Sequence, residues 1–253
     1  MIKLNNREVY FGEFPNKEMN LPLEALEIKE NNSIFMAYED DSDFMKLAML
    51  KGAIDDFSGE ASLYLTYMPY SRMDRPNGHY SVSLKAACNL INAMNFITVE
   101  VREPHSQVTL DLLNNSFPDN WSYAMMERVI GEGNFESIFF PDMGAKTRYN
   151  YLGKLPTAYG KKGRDFLTGK ITGLAVSGEV SENVLIVDDL CSRGGTFVEA
   201  AKILRGKGAK RIGLLVAYCE HNVYNGEIFD HVDMIYTSSE NNLKYHPRIT
   251  KLN

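Results

Sequence analysis

The sequence predicts an α/β protein whose mostly parallel sheets are flanked by helices. Short β-rich apolar runs alternate with stretches whose apolar residues recur at helical spacing, the pattern of strand–helix–strand units. That rhythm runs twice, once before about residue 120 and once after about residue 135. The chain also has 253 residues, 44% of them hydrophobic and 24% charged, enough for one large or two small domains with sizeable cores. Two α/β domains are therefore expected, residues 1–130 and 131–253, with the break between Leu113 and Ser137.

In chain order, SIFMAYE (33–39) reads as a strand, followed by Phe44, Leu47, Ala48 and Ile54 at helical spacing. ASLYLTYMP (61–69) is the next strand, and Leu84, Ala87, Cys88, Ile91 and Met94 mark one face of a helix. ITVEVRE (97–103) is a third strand, with a short helix from near Ser106, and NNSFPDNW (114–121) reads as turn. ESIFFPD (136–142), KLPTAYG (154–160), VLIVDD (184–189), RIGLLVAYC (211–219) and MIYTSS (234–239) continue the strands. The glycine- and lysine-rich stretch 160–183 has little periodicity and is expected to be a mobile flap followed by a β-hairpin. Helices following strands of a parallel sheet imply cover on both faces.

Composition excludes several classes. A net charge of −6 without a basic run argues against a nucleic-acid partner. No apolar run approaches the roughly 20 residues of a membrane span. The start, MIKLNNREVYFGEF, lacks the apolar core of a signal peptide. Cys88, Cys191 and Cys219 are odd in number and widely spaced, neither a zinc pattern nor a disulfide framework, so a cytoplasmic protein is expected.

The stretch VLIVDDLCSRGGT (184–196) carries the chemistry. Ligands of open α/β sheets sit beyond the carboxyl ends of strands, where VLIVDD ends. Thr196 and Glu199 fit a capping box for the next helix, whose buried face is Phe197, Ala200, Ala201 and Leu204. A glycine turn and a helix N-terminus together cradle an anion, phosphate above all. Phosphate would repel Asp188 and Asp189, which suit a Mg²⁺-linked group or hydroxyls that donate hydrogen bonds. A ribose phosphate offers both halves: phosphate in the loop and 2- and 3-hydroxyls on the carboxylates. The competing reading is a plain strand–turn–helix with two solvated aspartates.

The same stretch resembles the ribose-phosphate loop of the type I phosphoribosyltransferase fold, which implies two phosphoribosyltransferase-like domains. Other segments resemble one branch of that fold, the ribose-phosphate pyrophosphokinases, over residues 10–240 or so. GEFPNKEMNLPL (12–23) is similar to the family's Phe-x-x-x-Glu adenine-binding hairpin, with Phe14 and Glu18 in the matching places. MPYSRMDRP (68–76) is similar to its proline-tyrosine segment ending in Arg-Gln-Asp-Arg. EVREPHS (100–106) resembles its Asp-Leu-His segment, with His105 in place. FFPDMGAKTR (139–148) resembles its Pro-Asp-x-Gly segment, with Asp142 in place, and GKKGR (160–164) falls at the family's flexible-loop lysine. The resemblance implies nucleotide binding by Phe14, Glu18, Arg72, Asp74, Arg75 and His105. It implies sugar-phosphate binding by Asp188, Asp189, Ser192, Arg193, Gly194, Gly195 and Thr196. It implies catalysis by Lys161 and Arg164, with Lys162 a near-equivalent of Lys161, and Mg²⁺ held by His105 and Asp142 directly or through water.

The implied reaction moves the β,γ-diphosphate of ATP to the anomeric hydroxyl of ribose 5-phosphate, with AMP leaving. Such chemistry needs positioning and cationic stabilisation more than covalent help. Two departures stand out. The family's loop usually reads Asp-Thr-Ala-Gly-Thr, whereas Ser192-Arg193-Gly194-Gly195-Thr196 loses an acid and gains a guanidinium. The added cation suits a second phosphate, as in ADP-ribose, which phage-encoded relatives of the family convert to ADP-ribose pyrophosphate for NAD⁺ rebuilding. Met73 also stands where glutamine is usual. The ending ITKLN follows the last expected strand closely, so a homodimer or larger oligomer with weak or absent allosteric control is expected. A phosphoribosyltransferase and a non-catalytic regulatory homologue are the alternatives from other classes.

Overall fold

The computed structural model describes residues 1–76, 81–149, 155–164 and 171–253, with the backbone alone for 161–164 and 171–174. The chain divides into two compact units, Met1–Asp119 and Asn120–Asn253. The divide falls before the expected 130/131 boundary because the helix Trp121–Gly133 belongs with the second unit. Its Trp121, Met126 and Val129 are buried with Phe135, Ile138 and Leu215, all from that unit. No helix among the described residues is long and apolar enough to cross a membrane.

The first unit comprises β1 (Ile2–Leu4), β2 (Arg7–Glu8), β3 (Gly12–Glu13), β4 (Met19–Asn20), β5 (Asn31–Met36), α1 (Ser42–Asp56), β6 (Glu60–Leu65), α2 (Ser83–Ala93), β7 (Thr98–Arg102), α3 (Gln107–Leu112) and β8 (Ser116–Asp119). β3 and β4 form a small hairpin, and the remaining strands make one sheet in the order β2-β1-β5-β6-β7-β8. β5 to β8 run parallel, while β1 is antiparallel to both neighbours. Strand alternation decides the core. Ile34, Met36, Leu63, Leu65, Val99 and Val101 share a face and are buried with Leu47, Leu50 and Ile54 of α1 and Leu84, Cys88 and Ile91 of α2. Each such side chain contributes about 1.5–3 kcal/mol on burial. Among the described residues the buried cluster of this unit draws on this face. Residues of opposite parity include Phe35 and Tyr64, whose rings stack at 5.7 Å.

The stretch 114–121, expected as turn, contains β8. It lies at the sheet edge, pairing only with β7, so Pro118 is tolerated there.

The second unit comprises α4 (Trp121–Gly133), β9 (Ser137–Phe140), α5 (Met143–Tyr149), β10 (Thr157–Arg164), β11 (Ile171–Gly178), β12 (Asn183–Cys191), α6 (Gly195–Gly206), β13 (Arg211–Cys219), α7 (Ile228–His231), β14 (Met234–Ser238) and β15 (Ile249–Leu252). The sheet order is β11-β10-β9-β12-β13-β14-β15, parallel except for the β10–β11 hairpin. ITKL, read as a tail, is the edge strand β15 with Leu252 buried. The run Val184–Val187 is apolar throughout because both faces are covered. Val184 and Ile186 pack with Phe197, Ala200, Ala201 and Leu204 of α6. Leu185 and Val187 pack with residues of α4 and with Ala145 and Tyr149 of α5. The hairpin expected after the flap is instead β10–β11, whose first strand already takes in 160–164 of the expected flap, and residues 165–170 lie outside the described residues.

From β9 the chain moves outward to β10 on one side, while β12, β13 and β14 build outward on the other. The carboxyl ends of β9 and β12 therefore form a topological switch point, where open α/β sheets leave a crevice for ligands.

Candidate active site

β12 carries Asp188 and Asp189 to this crevice, running on to Cys191, two residues past the expected strand end. From the other side of the switch point, α5 brings Arg148. Its Nη1 lies 3.4 Å from Asp188 Oδ1 and 2.8 Å from Asp189 Oδ1. Asp188 Oδ1 also accepts the Asp189 backbone N–H at 2.9 Å. Burial and the neighbouring Asp189 push the Asp188 carboxyl well above the usual carboxylate range, against the pull of Arg148. Burial works against the charge of Arg148, but Asp189, Tyr149 and Asp188 outweigh it and raise its pKa.

Gly194 turns the chain from β12 into α6 at φ +80°, a left-handed conformation that glycine adopts without penalty. A Cβ there would sit 2.7 Å from Ile228 Cδ1. The capping box is not formed: α6 begins at Gly195 with Gly194 as its cap, and no side chain caps it. Thr196 lies in the first turn, exposed. The backbone N–H groups of Phe197 and Val198 both reach Gly194 O at 2.9 Å. The N–H groups of Gly195 and Thr196 come one turn too early for intrahelical partners, and such groups at a helix start can take an anion. Arg193 is exposed beside them. The Ser192 hydroxyl donates to Glu220, whose own N–H reaches Cys191 O at 2.8 Å, tying the loop to the end of β13.

In the first unit, the expected nucleotide residues follow the carboxyl ends of neighbouring parallel strands, Arg72–Arg75 after β6 and His105 after β7. Asp74 is buried and salt-bridged to Arg75 Nε at 3.0 Å. Arg75 first, and His105 after it, hold its carboxyl below the ordinary value, which places the 72–75 and 105–106 segments side by side. Arg72 is exposed. The turn before them is pinned: Tyr70, at φ +64°, donates to Asp41 Oδ1 at 2.6 Å, and Tyr38 donates to the same oxygen at 2.7 Å. A tyrosine in the left-handed region costs about 1–2 kcal/mol, strain of a kind concentrated at functional sites. Phe14 and Glu18 face each other across the β3–β4 turn, Phe14 N–H to Glu18 O at 2.7 Å. The Phe14 ring is 51% exposed, so it is not a core residue.

Asp142, after β9, spends Oδ1 on the Ala145 N–H at 3.0 Å, capping α5. Lys161 and Arg164 lie on β10, opposite Ala175 and Ile171 of β11, with their side chains outside the described ones. Among the described residues no three His, Cys, Asp or Glu side chains cluster as a metal site. Sequence reasoning missed Arg148 and Glu220. Arg148 stands within FFPDMGAKTR, and its signal was an arginine on a short helix directly before a tyrosine that proves fully buried.

The model of phosphoribosyl transferase domains matches residues 166–245, a span that includes the acid pair and the glycine loop. A ribose-phosphate pyrophosphokinase of Sulfolobus acidocaldarius is 28% identical over 199 residues, 75% of this chain and 67% of that protein. The chain is a relative of the ribose-phosphate pyrophosphokinases. The pyrophosphokinase of Saccharolobus solfataricus is 27% identical over 187 residues, 69% of this chain and 63% of that protein. The chain thus spans about two thirds of the length of these pyrophosphokinases. A crystal structure of phosphoribosylpyrophosphate synthetase from Mycobacterium smegmatis superposes with a TM-score of 0.79 at 17% identity, covering 97% of this chain and 85% of that one. That likeness shows a shared fold, two phosphoribosyltransferase-type units with parallel sheets flanked by helices.

Proposed function

We propose that the chain is a Mg²⁺-dependent diphosphotransferase that moves the β,γ-diphosphate of ATP to the anomeric 1-hydroxyl of ribose 5-phosphate, releasing AMP. The observation that carries the reading is the crevice between β9 and β12, where the acid pair Asp188–Asp189 near the end of β12 is followed by the left-handed Gly194 turn and the start of α6. Hydroxyl acceptors and an anion cradle in one crevice match a sugar phosphate. Ser192, Arg193 and Gly194 shape the same loop. In the first unit, Arg72 and Arg75 supply phosphate-binding forks, with Asp74 and His105 beside them. The exposed Phe14 ring offers a stacking surface for adenine, with Glu18 at its side. Lys161 and Arg164 are the residues of this reading that neutralise the transferred diphosphate.

Mg²⁺ keeps most of its waters and is bound through few carboxylates and substrate phosphates. His105 in the first unit and Asp142 in the second are each a candidate partner of such an ion, largely through water, and its charge would offset that of the phosphates. A homodimer or larger assembly belongs to the same reading.

Arg193 favours a second acceptor. It is exposed at the loop, where a substituted phosphate would pass, so ADP-ribose is the alternative substrate of the same transfer. The protein incubated with ATP and Mg²⁺ and offered each sugar separately should add one diphosphate unit to one of them, read by product mass, with AMP formed in step. Transfer of ribose phosphate to a base without ATP turnover would instead identify a phosphoribosyltransferase. No AMP with either sugar would identify a non-catalytic homologue.

A further inference from the structure

We infer that Arg148 is a positioning residue for the sugar: its guanidinium holds Asp188 and Asp189 together as a paired acceptor for two adjacent hydroxyls. The inference rests on the sugar-binding reading given above. A vicinal diol presents two donors and is best met by two carboxylates that both accept. Consecutive carboxylates at a buried strand end repel each other, and such pairs relieve the repulsion by keeping a proton, which turns one acceptor into a donor. Arg148 pulls against that proton, lowering an Asp188 carboxyl that burial and Asp189 push up. Its Nη1 meets Oδ1 of both acids, at 3.4 and 2.8 Å, and it reaches them from α5, across 40 residues of sequence. The contact ties the segment after β9 to the end of β12, the two strands that border the crevice. Each carboxylate has about four lone-pair sites, so the shared nitrogen leaves capacity for hydroxyls on both.

The guanidinium is itself fixed. Arg148 is held over the ring of Tyr149 at 5.5 Å, and Tyr149 is fully buried in the core beneath. Thr147, the residue before, donates its hydroxyl to Met143 O at 2.9 Å within α5.

The test measures binding by calorimetry on the full chain, with ribose 5-phosphate and 2-deoxyribose 5-phosphate as probes. The wild type should prefer ribose 5-phosphate, because only it carries both hydroxyls. In Arg148→Met, affinity for ribose 5-phosphate should fall about 10- to 100-fold, the worth of one or two charge-assisted hydrogen bonds. Affinity for the deoxy sugar should change little, so the preference collapses, while ATP affinity stays as in the wild type. Should Arg148→Met fail to fold, Arg148→Gln, which keeps length and an amide donor but drops the charge, gives the same readout. A variant that keeps the wild-type preference overturns the inference. So does an equal loss for both sugars, which would mark a merely structural residue. A wild type that binds neither sugar overturns the sugar-binding reading itself, and the inference with it.

Discussion

Gly194→Ala isolates the loop that the proposed sugar phosphate would occupy. Two costs add at this position. An alanine at φ +80° costs about 1–2 kcal/mol as a left-handed non-glycine residue. Its Cβ would also lie 2.7 Å from Ile228 Cδ1 and 2.9 Å from Ile228 Cβ, and Ile228 is fully buried, so the helix behind it must shift. Overpacking of this kind costs typically about 1–3 kcal/mol. The sum, about 2–5 kcal/mol, corresponds to a fall in Tm of roughly 4–20 °C for a chain of this size. Gly195→Ala is the control: a Cβ there meets nothing within 4 Å, and Gly195 is the first helical residue, where alanine is the better helix former. Differential scanning calorimetry of both variants, paired with titration of ribose 5-phosphate, reads stability and loop geometry together. Gly194→Ala should melt early and bind the sugar phosphate poorly; Gly195→Ala should melt at or slightly above the wild type. A Gly194→Ala protein with wild-type Tm and affinity would refute the idea that the left-handed turn and its packing on Ile228 shape the loop.

Three further outcomes are expected. Because the Asp188 carboxyl is raised in the folded state, the native protein binds more protons than the unfolded chain above pH 4 or so, and stability falls as pH rises through that range. Asp188→Asn should therefore raise Tm more at pH 8 than at pH 4.5 while weakening sugar binding; a Tm gain independent of pH would contradict the assignment. Asp142→Ala should lose about 0.5–2 kcal/mol with the α5 cap, whereas Asp142→Asn keeps the cap and tests the charge alone, so any fall in Mg²⁺-dependent turnover in the asparagine variant at unchanged Tm isolates the proposed metal role. The three cysteines are buried, and burial pushes the Cys88 thiol up to about 11. Iodoacetamide at neutral pH should leave the folded protein unlabelled and modify all three in denaturant, by intact mass; rapid labelling of the native chain would show that these sites open.

The elements were legible where local pattern and tertiary need agree. The apolar run Val184–Val187 announces a strand covered on both faces, and Phe197, Ala200, Ala201 and Leu204 announce the inner face of α6. The acid pair and the two glycines were visible because their chemistry is carried by neighbours in sequence. What failed depended on distant partners. β8 holds a proline and reads as turn, yet an edge position makes it a strand. Residues 249–252 look like a tail until β14 offers an open edge. Thr196 has the right residue type for a cap, but the chain turns at Gly194, one of the few residue types at ease with φ +80°. Arg148 carried the least signal of all. Its meaning comes from strand order, which sets β9 beside β12 and so brings together charges that the sequence holds 40 residues apart. Composition and periodicity thus determined the α/β class, the main strands and helices, and the loop that holds the candidate site. The tertiary structure alone decided which side chains share the crevice, because periodicity is a property of neighbouring residues and electrostatic pairing is a property of distance in space.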